Sequence, residues 1–452
     1  MKDNSKIAFL IIGVMAVCLT IFTIKSVMIP FNDVDEYVII AKYIAGMTNI
    51  KVFTLHSALY PFLAAPFISV FRNLLSFQLL TVGISILIVI SIWLASRDLK
   101  ALLLWSFSAL TWHAIGAIGS IIPAALTLLL AYCFFEKWES SEKLRWMALS
   151  GLSLGLSSAF YEGSWPVSVI FILVFFYRKK FSSLIFFLLL AILGYSARLG
   201  VDYIIFGSAL SSTIRMGFAN FYVLLGYHPE NHVNVTLYRV VEALFIISPL
   251  LVFSYRLLKD KKEEFFFILV SFIIIGLITP SVRYLYLIMP VTLLILSRIV
   301  SRKEIIAHIL LSIPFIFILT ATQFSTELWD HSDLNLDVHE LENDYSGMMI
   351  TDRNVDLVVA SKAWKGNIYF IWLDDYLASK EGNAMLKKYE YTESVKGHLY
   401  KKLFFIMGQK RVSNDSYPDN LPLIVKKQLK PSLEGYVKDK CYRVICVYRK
   451  SS

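Results

Sequence analysis

For its first three quarters the chain alternates long apolar runs with short polar breaks, and then it changes character. At about 20 residues per membrane crossing, the runs predict helices near 7–29, 74–95, 100–118, 121–136, 147–162 and 165–177. Further helices are expected near 182–206, 236–257, 265–280, 283–300 and 305–323. The pair split by "EGSWP" (Glu162–Pro166) also fits a re-entrant hairpin. The first run, Ile7 to Ile29, is too long for a signal-peptide core and is followed by no small-residue cleavage site, so it reads as a retained helix. After about residue 324 the segment "STELWDHSDLNLDVHELENDYSG" is polar. Beyond it, strand-like runs ("NIYFIWL", "LFFIMG", "CYRVICVYR") alternate with helix-like pieces such as "ASKEGNAMLKKYE". That alternation predicts a small α/β domain of roughly 120 residues. Two domains follow: an all-α polytopic membrane domain over 1–323 and an α/β domain over 324–452.

Composition supports this division. The chain has 452 residues, 57% hydrophobic and 17% charged, where soluble domains carry roughly 25% charged residues. The net charge of +10 would suit a nucleic-acid binder, but its placement excludes that class. Basic residues collect in alternate short loops: Arg97 and Lys100; Lys137, Lys143 and Arg145; Arg178, Lys179 and Lys180. The series continues with Arg256, Lys259, Lys261 and Lys262, then Arg298, Arg302 and Lys303. By the positive-inside rule these loops and the N-terminus are cytoplasmic, and about eleven crossings leave the C-terminal domain extracytoplasmic. Cys441 and Cys446 lie five strand steps apart, roughly 16 Å along a straight strand. They are expected to be free thiols unless the chain turns between them.

The first outside loop opens with "FNDVDEY", three acids in four positions beside a membrane segment. Val34, Tyr37, Ala41 and Ile44 mark one face of an amphipathic helix, expected to lie on the membrane surface. On one reading, Asp33 and Glu36 form a capping box and favour the helix dipole. On the other, a carboxylate at the lipid–water boundary is a general base, its proton affinity raised by partial burial. Asp35 is the acid that capping does not require.

"DVDEY", then "HSALYPFLAAPF" (His56–Phe67), then "RYLYLIMP" (Arg283–Pro290) resembles the GT-C superfamily of integral membrane glycosyltransferases, which use polyprenyl- or dolichyl-phosphate sugars. "VDYIIFGSAL" and "ANFYVLLGYHP" are similar to stretches of the mannosyltransferases that build GPI anchors and lipid-linked N-glycans. Protein O-mannosyltransferases form a further likeness. Two departures stand out. Asp33-Val-Asp35-Glu36 replaces the His-Pro-Asp-Glu form, and Thr279-Pro280-Ser281-Val282 replaces a His-Lys-Glu.

The resemblance implies a GT-C-type fold and transfer of mannose or another hexose to an acceptor hydroxyl at the extracytoplasmic or lumenal face, with inversion. It implies Asp35 as base, Glu36 as companion and Asp33 as fallback. The donor is a polyprenyl- or dolichyl-phosphate sugar, and the acceptor a glycan, lipid or protein. The host membrane would be the cell membrane, or the endoplasmic reticulum membrane in a eukaryote.

For the donor phosphate, an arginine at a span border offers paired donors, and Arg283 is the first choice against a snorkelling helix anchor. Arg215 and Arg239 flank the loop that holds His228. His56 matches the motif position and could orient donor or base. Glu162, the one acid between its two spans, is a cavity-lining candidate by analogy. Arg198 lies deep in a span and needs a partner, and Asp202 at i+4 is expected to supply it. Asp33, Asp35, Glu36 and His56 could bind a hard cation, but their spacing does not demand one, so no metal or other cofactor is expected. A multipass transporter or a non-catalytic membrane scaffold is the alternative function. Transporters commonly show midplane charges and repeated halves, and no internal repeat is visible here.

Overall fold

The computed structural model describes residues 2–25, 33–47, 56–72, 74–116, 118–177, 181–214, 216–217, 254–278 and 282–324 of the helical part. It also describes 336–337, 340–341, 343–345, 347–351, 368–372, 422–426, 435–443 and 445–451. Of Asp33, Asp35, Glu36 and Arg283 only the backbone is described.

Apolar runs become helices where predicted: α1 (Lys2–Lys25), α4 (Leu75–Ser96), α7 (Ile121–Ser141), α8 (Leu144–Phe160), α9 (Ser164–Tyr177), α10 (Phe181–Phe206). The same holds for α12 (Lys262–Ile278) and α14 (Arg302–Phe324), with a short α11 (Leu257–Asp260) before α12. Within the described residues, four stretches are long and apolar enough to cross a membrane: Ser5–Ile24, Leu75–Ser96, Ile121–Ser141 and Ser183–Phe206. Phe9, Leu10, Val14, Val17 and Ile21 of α1 are exposed, as are Ile185, Leu189, Ile192, Leu193 and Ile204 of α10. Apolar faces of that extent suit hydrocarbon rather than water.

Several expected helices differ in detail. The 100–118 run is broken at Phe107–Ser108 into α5 (Leu99–Ser106) and α6 (Ala109–Gly116). The 283–300 run opens as a 3₁₀ helix (Val282–Leu287) and continues as α13 (Met289–Leu296), with Pro290 at its start, where a missing N–H is tolerated. The predicted amphipathic surface helix is α2 (Asp33–Ile44), but it is not half-exposed. Val34, Tyr37, Val38, Ile39, Ile40, Ala41 and Lys42 are all buried, with α3 (Leu59–Phe71) packed against it. Protein thus encloses α2 where a membrane surface was expected.

The helical bundle has two distinct ends. At one, Arg256 forks onto Glu304 (2.6 and 3.2 Å) and Arg298 onto Glu136. There also, Lys261 meets Glu264 at 2.9 Å and Lys100 Nζ donates to Val300 O at 3.2 Å. Four of the basic loops singled out by charge therefore gather together, and the fifth, residues 178–180, lies outside the described residues. Phe22 packs on Trp112, and Gln78 Nε2 donates to Thr23 O, at the far end of α1. α14 starts at the basic end and, at about 1.5 Å per residue, its 23 residues carry the chain toward the opposite one.

Among the described residues the C-terminal part holds five strands: β1 (Gly347–Thr351), β2 (Ile368–Trp372), β3 (Leu423–Lys426), β4 (Tyr436–Cys441) and β5 (Ile445–Lys450), in the order β2-β1-β3-β5-β4. β1 is parallel to β2 and β3, and β5 is antiparallel to β3 and β4. "NIYFIWL" is β2, as expected, whereas "LFFIMG" and "ASKEGNAMLKKYE" fall outside the described residues. "CYRVICVYR" is not one strand. It folds back as a hairpin, so Cys441 and Cys446 are paired neighbours with Cα atoms 4.0 Å apart and form a disulfide. The free-thiol expectation is corrected: the 16 Å estimate assumed a straight strand, and the turn between β4 and β5 removes that separation.

Buried Asp337 holds that turn, accepting from the Arg443 and Ile445 backbone N–H groups at 2.9 and 3.2 Å. Tyr345 and Tyr442 hydroxyls donate to Asp439 and Asp344 at 2.6 and 2.7 Å, fastening the preceding segment across the hairpin.

Candidate functional site

The site begins with two helices in backbone contact. A Cβ on Gly155 of α8 would lie 2.0 Å from Ala191 O of α10, and one on Gly194 would lie 2.3 Å from Leu152 O. Small residues on the facing sides, Gly151 and Gly155 against Ala191 and Gly194, permit this approach, as is common between membrane helices. Serines tie the neighbouring helices: Ser150 and Ser157 donate to Ala131 O and Ala124 O of α7 at 2.7 and 2.9 Å. Ser158 meets Ser168 of α9 at 2.8 Å.

Because α8 and α10 touch at Gly155 and Gly194, the turn that ends α8 is delivered against the next turn of α10. Glu162 occupies that turn and Arg198 the facing position. Arg198 Nη1 lies 2.8 Å from Glu162 Oε1, with side chains 0% and 2% exposed. Arg198 Nε donates to Ser212 Oγ at 2.9 Å, and Ser212 donates to Asp202 Oδ2 through its hydroxyl (2.5 Å) and its N–H (2.9 Å). Tyr195 and Thr213 hydroxyls meet at 2.8 Å, so the start of the segment after α10 is docked on that helix beside Arg198. The expected Arg198–Asp202 pair is thus corrected. The close charged partner of Arg198 is Glu162 from another part of the chain, and Asp202 reaches it through Ser212.

Glu162 has a second neighbour. His56 Nδ1 lies 3.6 Å from its other oxygen, Oε2. The ring of Tyr37, on α2, stands edge-on to His56 (centroids 6.2 Å) and to Tyr60 (5.7 Å). Tyr37 also donates to Ser120 Oγ at 3.1 Å, which fixes α2 against the start of α7. On the other side, Tyr161 stacks on Tyr284 (centroids 5.4 Å, planes 5° apart). Tyr284 follows Arg283 in the 3₁₀ helix.

Four remote stretches therefore meet at the end away from the basic loops: α2, the 56–60 segment, the 161–163 turn and the 3₁₀ helix. His56 and Glu162 are in direct contact. The backbone of Asp33, Asp35 and Glu36 lies in the α2 turn that leads into Tyr37, and that of Arg283 adjoins Tyr284. Arg215, Arg239 and His228 lie outside the described residues. Among the described residues no three His, Cys, Asp or Glu side chains cluster in a way that could hold a metal ion, a statement that does not extend to the α2 acids.

No protein-family model matches the chain, and no curated protein matches it.

What the arrangement can do follows from its charges. Arg198 is a permanent cation and fully buried, so Glu162 opposite it serves best as a carboxylate. Breaking such a buried pair leaves one charge uncompensated, at a cost of about 3–5 kcal/mol. From this fixed core the contacts pass outward to His56, whose side chain is 18% exposed. Sequence reasoning flagged Glu162 and Arg198 separately but did not join them. The signal was present in the glycine and alanine spacing of "SGLSLG" and "AILG", which marks a close helix pair.

Proposed function

We propose that this end of the bundle is the active site of an integral membrane glycosyltransferase that moves a hexose from a polyprenyl-phosphate donor to an acceptor hydroxyl, with inversion. The observation that carries this reading is the run of contacts from Tyr37, which follows the α2 acids in sequence, to His56, from His56 to Glu162, and from Tyr161 to Tyr284, which follows Arg283. In it, Asp35 removes the acceptor proton, with Glu36 as companion and Asp33 as fallback. Arg283 meets the donor phosphate, joined by Arg215, Arg239 and His228 from the outside loop. The acceptor oxygen bonds to the anomeric carbon as the carbon–oxygen bond to phosphate breaks, and the lipid phosphate departs. The donor is a substrate, so no separate cofactor enters the scheme.

Topology is part of the proposal. The basic end is cytoplasmic by the charge rule, and the active site and C-terminal domain face the exterior or lumen. The gathering of the basic loops and the direction of α14 support it. A transporter is the second reading, favoured by the buried Arg198–Glu162 pair inside the bundle.

Reconstituted protein separates the two. On the leading reading, labelled sugar leaves polyprenyl phosphate for an acceptor, and Asp35→Asn lowers that rate by about 10²–10⁴-fold, the usual worth of a positioned base. Full transfer by Asp35→Asn would remove the base assignment. Solute uptake into liposomes without any transfer would favour the transporter.

A further inference from the structure

We infer that the α7–α8 turn, at the basic end of the bundle, binds the phosphate of an anionic phospholipid, with Lys137 and Arg145 as donors and Trp146 as the ring that holds them in place. The surface lies away from the site described above and does not depend on the transfer reading.

Cations at the basic end fall into two groups. Arg256, Arg298 and Lys261 each have a carboxylate: Glu304 at 2.6 Å, Glu136, and Glu264 at 2.9 Å. Lys100 has the Val300 carbonyl at 3.2 Å. Lys137 and Arg145 are held differently. Lys137 Nζ lies 4.8 Å from the centroid of the Trp146 ring, and Arg145 Cζ lies 4.9 Å from it. Among the described residues no carboxylate comes within 4.0 Å of either, those of Glu139 and Glu142 in the same turn included. An aromatic face attracts a cation through its quadrupole and leaves most of the N–H donors unspent.

Local structure builds this arrangement. Lys137 follows Glu136, whose pair with Arg298 marks the basic end. Arg145 and Trp146 are the second and third residues of α8. Phe134, one turn before Lys137 on α7, stacks on Trp146 with centroids 5.8 Å and planes 18° apart. The indole is thereby fixed between the two helices, and it sets both cations beside one ring. Like charges so placed repel, and an anion that both can reach removes the repulsion.

The apolar side chains nearby say what carries that anion. Leu144 is 58% exposed and Leu149 38%. Leu149 stands four residues past Arg145, on the same side of α8. Free donors above and bare leucine below match a molecule with a phosphate at one end and an acyl chain at the other. Tryptophan is enriched at the level of the headgroups. A net-anionic lipid fits better than a zwitterionic one, whose own ammonium offsets its phosphate. Positive loops alone orient a bundle. Here two positive groups are also held in place with their donors open, which is what a defined site requires.

Native mass spectrometry of the full chain in detergent, titrated with phosphatidylglycerol or with phosphatidylcholine of the same acyl chains, reads the binding. Wild type is expected to hold phosphatidylglycerol about fivefold more tightly than Lys137→Gln or Arg145→Gln, and about thirtyfold more tightly than the double variant, the worth of one and two basic groups at an anionic surface. Trp146→Leu keeps both charges and should weaken binding about two- to fivefold, with Trp146→Phe restoring most of it. Lys259→Gln/Arg302→Gln removes as much charge from exposed positions at the same end and should change binding less than about twofold. Unfolding temperature without added lipid is expected to stay at the wild-type value in each variant.

Equal affinity for phosphatidylcholine overturns the proposal. So does an equal loss in Lys259→Gln/Arg302→Gln, which would mean diffuse charge and no site, or unchanged binding by folded Trp146→Leu. Glycerol 1-phosphate bound as tightly as the lipid would remove the lipid from it. A polyglutamate peptide that binds through Lys137 and Arg145 while phosphatidylglycerol does not would make this a surface for an acidic protein segment instead.

Discussion

Glu136 and Glu162 sit at opposite ends of the same bundle, and each is paired with an arginine distant in sequence. At the basic end, Glu136 and Arg298 remain 26% and 33% exposed. At the other, Glu162 and Arg198 are sealed from solvent and extended by His56, Ser212 and Asp202. Exposed pairs contribute about 0–1 kcal/mol and are screened by salt, so the basic end can keep its loops charged for orientation without staking the fold on them. A sealed pair is a poor source of stability against an apolar replacement, yet losing one member is costly. Inside a membrane bundle, ionisable groups of that second kind mark places where charge has a task.

The comparison can be broken in four places. The largest effect is expected from Glu162→Ala, which strands Arg198 and should lower unfolding stability by about 3–5 kcal/mol, read by thermal unfolding in detergent. A loss no larger than that of Glu136→Ala would erase the distinction between the ends. Gly155→Val should follow at about 1–3 kcal/mol, because its side chain has only the α10 backbone to displace. It should also reduce any activity that depends on Glu162 meeting Arg198.

Arg298→Ala should cost under about 1 kcal/mol, with an effect that shrinks as salt rises. Smallest is the pH response of the C-terminal hairpin. Hydrogen bonds from Lys440 and then Tyr442 hold the Asp344 carboxyl below the ordinary carboxylate range. A depressed folded value means the contact stabilises above that range and is lost as pH falls through the folded one. Amide exchange near residues 436–450 should therefore quicken only in acid, and Asp344→Asn should remove that dependence.

Much of the helical layout was legible because hydrocarbon imposes one rule on every span, and length and apolar content suffice to find it. The basic loops were legible for the same kind of reason, since charge placement is a one-dimensional signal. What escaped were pairings across the fold. Arg198 needs a partner, and sequence spacing offers the nearest acid along its own helix, Asp202. Its actual partner depends on how closely α8 and α10 approach, which their glycines decide. The spacing of Val34, Tyr37, Ala41 and Ile44 fits one face of a surface helix, but the polar first turn of α2 precedes a run of buried residues. The hairpin between β4 and β5 was missed because "CYRVIC" has no Gly, Pro or Asn to announce a turn. Asp337, roughly a hundred positions earlier, supplies the holding contacts instead.

The Cys441–Cys446 bridge bears on geography. Such cross-links persist in oxidising compartments and are rare in the cytosol. A tail whose thiols resist maleimide in intact cells, and react only after a reductant is added, would lie across the bilayer from the ribosome. Orientation would then be known from redox chemistry, with no lysine counted.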